Sequence, residues 1–189
     1  MKNLKLIALL VIPTLFTISC NNDDDNTPVN EEEVITTVTT TLTGGGQTIT
    51  LTSRDLDGEG PEEPTVTVSG DLVAGRTYTG STTFLNELAN PVDDITAEVE
   101  EEGDEHQVFY QLVSSLGTVT YDSENVDVDG RPIGLQFTLV AGTAASTGNL
   151  TVTLRHDLNK AATGVAAGNI TNAGGSTDVE VVFPIVVVD

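Results

Sequence analysis

The chain has 189 residues, with 29 acidic against 7 basic side chains and a formal charge of −22 at neutral pH. Such a charge repels nucleic acid and anionic membrane surfaces, and it favours divalent cations, basic partners or plain solubility. A single cysteine excludes an internal disulfide, so stability must come from an apolar core, which here lacks Trp altogether.

Lys2 and Lys5 precede an apolar run over residues 6–18, followed by Ser19 and Cys20, the layout of a secretory signal peptide. Pro13 interrupts that run, which is too short for a transmembrane helix. Thr17-Ile18-Ser19-Cys20 resembles a bacterial lipobox, and the acidic stretch behind it resembles the export tag of surface lipoproteins of Bacteroidota. The resemblance implies that residues 1–19 are cleaved, that lipid on Cys20 is the membrane anchor, and that the protein sits at the outer membrane, facing outward. Without Lys2 and Lys5, five of the 7 bases face the same 29 acids, and the charge becomes −24. Residues 20–33 are then the lipidated cysteine and a disordered acidic tether, of which 21–33 reach about 45 Å when stretched. The domain is expected over 34–189.

From Val34 onward apolar residues recur at every second position. Val34, Val38 and Leu42 share one face, Gly44-Gly45-Gly46 makes a turn, and Ile49 and Leu51 continue the pattern. Val66 and Val68 follow, then Tyr78 and Phe84. Ile95, Ala97 and Val99 alternate with Glu98, Glu100 and Glu102, which predicts a strand with a solvated acidic face. Ile133, Leu135, Phe137 and Leu139 form the cleanest alternation, then Leu150, Val152 and Leu154, and last Val179, Val181, Phe183, Ile185 and Val187. Period-two patterns rich in β-branched residues, broken by Gly, Asp, Asn and Pro, mean half-buried strands. About ten strands and no amphipathic helix predict an all-β, two-sheet antiparallel sandwich, Ig-like in the broad sense. Residues 161–177 are the longest irregular stretch, with room for one helical turn around 161–167.

Across most of the mature chain the sequence is similar to small Bacteroidota lipoproteins grouped under the label of a type 1 periplasmic binding fold. Asp55-Leu56-Asp57-Gly58-Glu59-Gly60-Pro61 and Glu101-Glu102-Gly103-Asp104-Glu105-His106 carry that similarity. A fold of that name needs two α/β lobes, and this chain has neither the helices nor the length. What the resemblance implies is partnership with a TonB-dependent outer-membrane receptor, hence a part in nutrient capture.

Two stretches carry metal chemistry. Asp55, Asp57 and Glu59 are alternate acids before glycine turns, able to aim hard oxygens at calcium, although only the opening of an EF-hand loop is matched. The plain alternative is a solvated inter-strand loop. Asp127-Val128-Asp129-Gly130 repeats the pattern weakly and reads better as a turn before a strand. The second stretch joins the two histidines. His106 follows Asp104 and Glu105 and is in phase with Val108, Tyr110 and Leu112; His156 precedes Asp157 and is in phase with Leu150, Val152 and Leu154. If those strand ends are neighbours, His106, His156, Asp104, Glu105 and Asp157 make a set for zinc or another transition metal. Otherwise they are two rim histidines, each with its own acceptor. The acidic run 98–105 is a solvated face or a docking patch for a basic partner.

Other chemistries lack their residues. No G-x-S-x-G occurs, no serine is placed to pair with a histidine, and no glycine-rich loop opens a helix. Haem wants an apolar aromatic pocket and carries propionates that this charge would repel, and sugar hydrolysis wants aromatic platforms. The sequence therefore predicts a non-enzymatic binding or accessory module with a divalent metal, zinc or calcium, as ligand. A structural or adhesion module without a ligand is the competing reading.

Overall fold

Ten strands form two sheets in a computed structural model that describes residues 33–58 and 60–189, the compact unit being Glu32–Asp189. In chain order they are β1 (Thr37–Gly44), β2 (Gln47–Arg54), β3 (Thr65–Val68), β4 (Leu72–Val73), β5 (Thr77–Leu85), β6 (His106–Gln111), β7 (Gly117–Tyr121), β8 (Gln136–Ala141), β9 (Ser146–His156) and β10 (Ser176–Val188). The first sheet runs β3-β2-β1-β5-β8-β7 and the second β4-β10-β9-β6. All pairings are antiparallel except the two-residue parallel contact of β4 with the end of β10. Beyond that contact, the side of β10 away from β9 has no strand partner among the described residues. This is the two-sheet all-β sandwich expected from the period-two pattern.

The alternation does its work most visibly in β5. Tyr78, Gly80, Thr82 and Phe84 point inward, and the residues between them are exposed. Gly80 is required because the Phe137 ring lies over it, 2.3 Å from where a Cβ would be. Phe84, Phe137 and Leu139 meet Val152, Leu154 and Phe183 of the second sheet in one core. Tyr110 reaches into that core from β6; its hydroxyl donates within reach of Thr82 Oγ1 and the Gly134 carbonyl, both at 2.8 Å, so the buried phenol is satisfied. Burial pushes the Tyr110 hydroxyl well above its ordinary pKa.

Three expectations need correction. Residues 95–101, predicted as a strand with an acidic face, form the helix α1 (Ile95–Glu101). Ile95 and Val99 are four apart, so they satisfy a helical face as well as alternation, and both are buried while Ala97 is exposed. Asp94 decides the matter by capping the helix, its carboxylate accepting from Thr96 N at 3.2 Å. Thr96 then bonds Phe84 N and O at 2.9 and 3.1 Å and fastens α1 to β5. Next, the run from Ile133 to Leu139 is strand only from Gln136 onward. Gly134, at φ 88°, breaks it, because a Cβ there would lie 2.6 Å from the Val108 carbonyl. Finally, Val34 lies ahead of β1 and is exposed, whereas Val38 and Leu42 are buried as their phase predicts.

The stretch 161–177 holds two 3₁₀ turns, Val165–Ala167 and Ile170–Asn172. It folds over the outer face of β6, where Phe109, Leu158, Val165 and Ala173 make a second small core. No helix among the described residues is long and apolar enough to cross a membrane.

Candidate metal centre

Strand phase and register bring the two histidines together. His106 opens β6, His156 closes β9, and the antiparallel ladder sets them directly opposite each other, ring centroids 4.4 Å apart. β10 continues the row. Ser176 faces His156 and Val179 faces Leu154, so Asp178 is an extra residue in a β-bulge. The bulge turns its carboxylate inward, where the side chain has no solvent exposure. The fourth member comes from the segment entering β1. Glu33 lays a side chain that is 3% exposed across both rings.

His106 Nε2 is 3.0 Å from Glu33 Oε1 and 3.8 Å from Asp178 Oδ2. His156 Nδ1 is 3.6 Å from Glu33 Oε2 and 3.9 Å from Asp178 Oδ1. One donor atom from each of the four residues lies within 4.8 Å of the others. Tetrahedral zinc with bonds of 2.0–2.1 Å holds its ligands about 3.4 Å apart, so a small contraction makes this a coordination shell. Two imidazoles with two carboxylates suit zinc and its first-row neighbours, while calcium wants six to eight oxygens.

Each ring has an acceptor behind it as well as acceptors in the centre. His106 Nδ1 is 3.2 Å from the Glu102 carbonyl and Nε2 is 3.0 Å from Glu33 Oε1; with a cation in the centre, the ring proton goes to the Glu102 side and Nε2 supplies its lone pair. His156 Nε2 faces Glu105 Oε2 at 3.4 Å and Asp157 Oδ1 at 3.9 Å, which leaves Nδ1 as the inner donor. A carboxylate or carbonyl behind each imidazole is how metal-binding histidines are usually oriented. Glu33 Oε2 and His156 Nδ1 are both buried and make no hydrogen bond. A cation between them would satisfy both. Burial alone would lower the His156 pKa, but Glu33, Asp178, Glu105 and Asp157 outweigh it and raise the value above the ordinary one. The field that holds a proton there also attracts a metal ion.

Lys160 supports the centre from behind. Its buried ammonium donates to the carbonyls of Gly103 and His106, and sits 2.9 Å from Asp127 Oδ2. The turn between α1 and β6, which carries Glu102 and Glu105, is thereby tied down. Asp127 also caps its own turn, accepting from the N–H of Asp129 and of Arg131, in keeping with the turn expected at 127–130. Burial opposes the Asp127 carboxylate, but Lys160 and those two N–H groups hold its pKa below the ordinary value. Burial lowers the Lys160 pKa, although Asp127 works against it.

Of the set expected from the sequence, His106 and His156 are in the centre, and Glu105 and Asp157 stand behind His156. Asp104 is exposed and belongs to no donor cluster among the described residues. Glu33 and Asp178 were not foreseen. Asp178 has no clear sequence signal, since it is in phase with Glu180 opposite the apolar Val179 and Val181, and Glu33 has none beyond ending an acidic run. At the loop expected to take calcium, Asp55 Oδ1 accepts from the N–H of Asp57 and Gly58, and Asp57 Oδ2 from that of Glu62. Asp55 and Asp57 thus serve their own loop and join no three-donor cluster among the described residues, and Glu59 lies outside them. Cys20 also lies outside the described residues. The acids of 98–105 occupy α1 and the turn after it, not a strand face. A cavity of about 510 Å³ between Tyr121, Asp122 and Gly168 contains none of the four donors. Comparison with protein-family models, curated proteins and solved structures found no match to the chain.

Proposed function

We propose that the chain is a non-enzymatic binding module that holds a divalent transition metal, zinc in the first instance, between Glu33, His106, His156 and Asp178. It works from a lipid anchor on Cys20 at the outer face of the outer membrane and captures the ion for a TonB-dependent transporter. The observation that carries the metal reading is the pair of histidines, each presenting one ring nitrogen to the same two buried carboxylates. Four protein donors leave no place for a substrate or an activated water, which supports binding over catalysis. The anchor and location rest on the lipobox-like Thr17-Ile18-Ser19-Cys20 and the acidic stretch after it, and the large negative charge supports cation capture.

Calorimetric titration of the metal-stripped chain from Asn21 to Asp189, which has no thiol, tests the reading. Zinc is expected to bind at micromolar concentration or tighter, and the double variant His106→Ala, His156→Ala to lose that heat. Calcium is expected to give none. If zinc also gives none, the metal reading falls and the structural or adhesion module takes its place.

One observation favours a second reading, in which the ion is resident and the sandwich itself is the working part. His106 and Asp178 are fully enclosed, and closed four-ligand sites are usually structural. Zinc that resists a competing chelator for hours would favour that role over delivery.

A further inference from the structure

We infer that Glu33 is the gate of this centre: ion binding clamps the segment entering β1 onto the second sheet, and ion release requires Glu33 to leave. The inference rests on the metal reading above. His106, His156 and Asp178 all belong to strands of the second sheet and are fixed by its ladder. Glu33 alone comes from outside that sheet. It precedes β1, a strand of the first sheet, and residues 33–36 belong to no helix or strand. The first backbone bond of this segment is Thr36 N to the Leu85 carbonyl, three residues further on. Between these points Val34 is 56% exposed and Ile35 is only partly packed on the core. Glu33 therefore covers the donor cluster from the least restrained stretch around it.

Electrostatics makes that stretch sensitive to the ion. Asp178 and Glu33 bring two carboxylates into one enclosed space, and Glu98 and Glu102 also place carboxylates close to Glu33. A bound cation reverses the sign of the interaction between Glu33 and Asp178 by sitting between them. Without it, only the two imidazoles hold Glu33, His106 Nε2 at 3.0 Å and His156 Nδ1 at 3.6 Å, against the repulsion of Asp178, and of the two acids only Glu33 lies outside the sheet. Ligand binding that favours one of two arrangements shifts the population toward it. The docked arrangement is the loaded one.

The test uses the chain from Asn21 to Asp189 with a nitroxide attached through Val34→Cys, an exposed position next to the gate. Zinc is expected to broaden the spin-label spectrum, and Glu33→Ala to abolish that change. Release of zinc to a competing chelator is expected to be about tenfold faster or more in Glu33→Ala, on the scale seen when metal-site partners are lost. Glu33→Gln, which keeps the size of the side chain, repeats the measurement should Glu33→Ala fold poorly. Zinc binding with an unchanged spectrum, or release at the parent rate in both variants, overturns the gate and leaves the metal centre intact. No zinc binding in the parent protein overturns both.

Discussion

Lys160 is a cation enclosed beside the candidate metal centre, and its removal should be felt in two ways. The ammonium serves Asp127 and two carbonyls at once, one of them that of His106. Lys160→Met keeps the bulk and removes the charge, leaving Asp127 enclosed with only its backbone donors. Breaking a buried pair in this way costs about 3 kcal/mol or more. Urea denaturation is expected to record that loss, and zinc affinity should fall with it because the turn bearing Glu102 and Glu105 is released. A melt unchanged from the parent would contradict both. At this scale the histidines were legible, because strand phase puts His106 with Val108 and His156 with Leu154 on the inward side. Asp178 was not, since a bulge residue falls out of any two-residue period. Glu33 was hidden because composition joins it to Glu31 and Glu32, and only the folded chain separates the last acid from the others.

At the scale of elements, the clamp that starts β1 matters most, since Glu33 lies just ahead of it. Glu87 accepts from the guanidinium of Arg54 at the end of β2 and from the hydroxyl of Thr37 in β1. Its backbone N–H is bonded to Thr36 Oγ1 at 2.8 Å. Arg54 first, and Thr37 next, lower the Glu87 pKa from 4.5 to about 2. A folded-state pKa below the unfolded one contributes stability that is complete above about 4.5 and is lost as pH falls toward about 2. Thermal melts of the parent should decline across that window, and Glu87→Gln should flatten that part of the curve. An identical acid limb in the variant would show that the clamp adds nothing. Exposure of this group to solvent keeps the effect modest. Helix α1 marks where reading by element failed. Ile95 and Val99 fit period two and period 3.6 equally, and the capping carboxylate of Asp94, which breaks the tie, lies outside the apolar pattern.

For the molecule as a whole, the sandwich followed from repeated alternation, because apolar faces on many short strands have few ways to be buried other than against each other. Which strand ends would meet did not follow. That depends on the order β10-β9-β6, and nothing in the spacing of His106 and His156, fifty positions apart, encodes it. The bulge at Asp178 separates the two kinds of information. Ser176 faces inward before it and Val179, Val181, Phe183, Ile185 and Val187 face the partners of an unbroken ladder after it. Removing Asp178 would therefore close up the strand without turning any other side chain over. The scaffold is indifferent to this residue, and the centre depends on it. The deletion variant should keep a cooperative melt and lose most of its zinc affinity; failure to fold would show that the bulge is part of the architecture. It should also straighten a strand whose outer side has no strand partner among the described residues along most of its length, making it a better template for a second copy. One bulged residue would then separate a candidate ligand set from a tendency to self-associate.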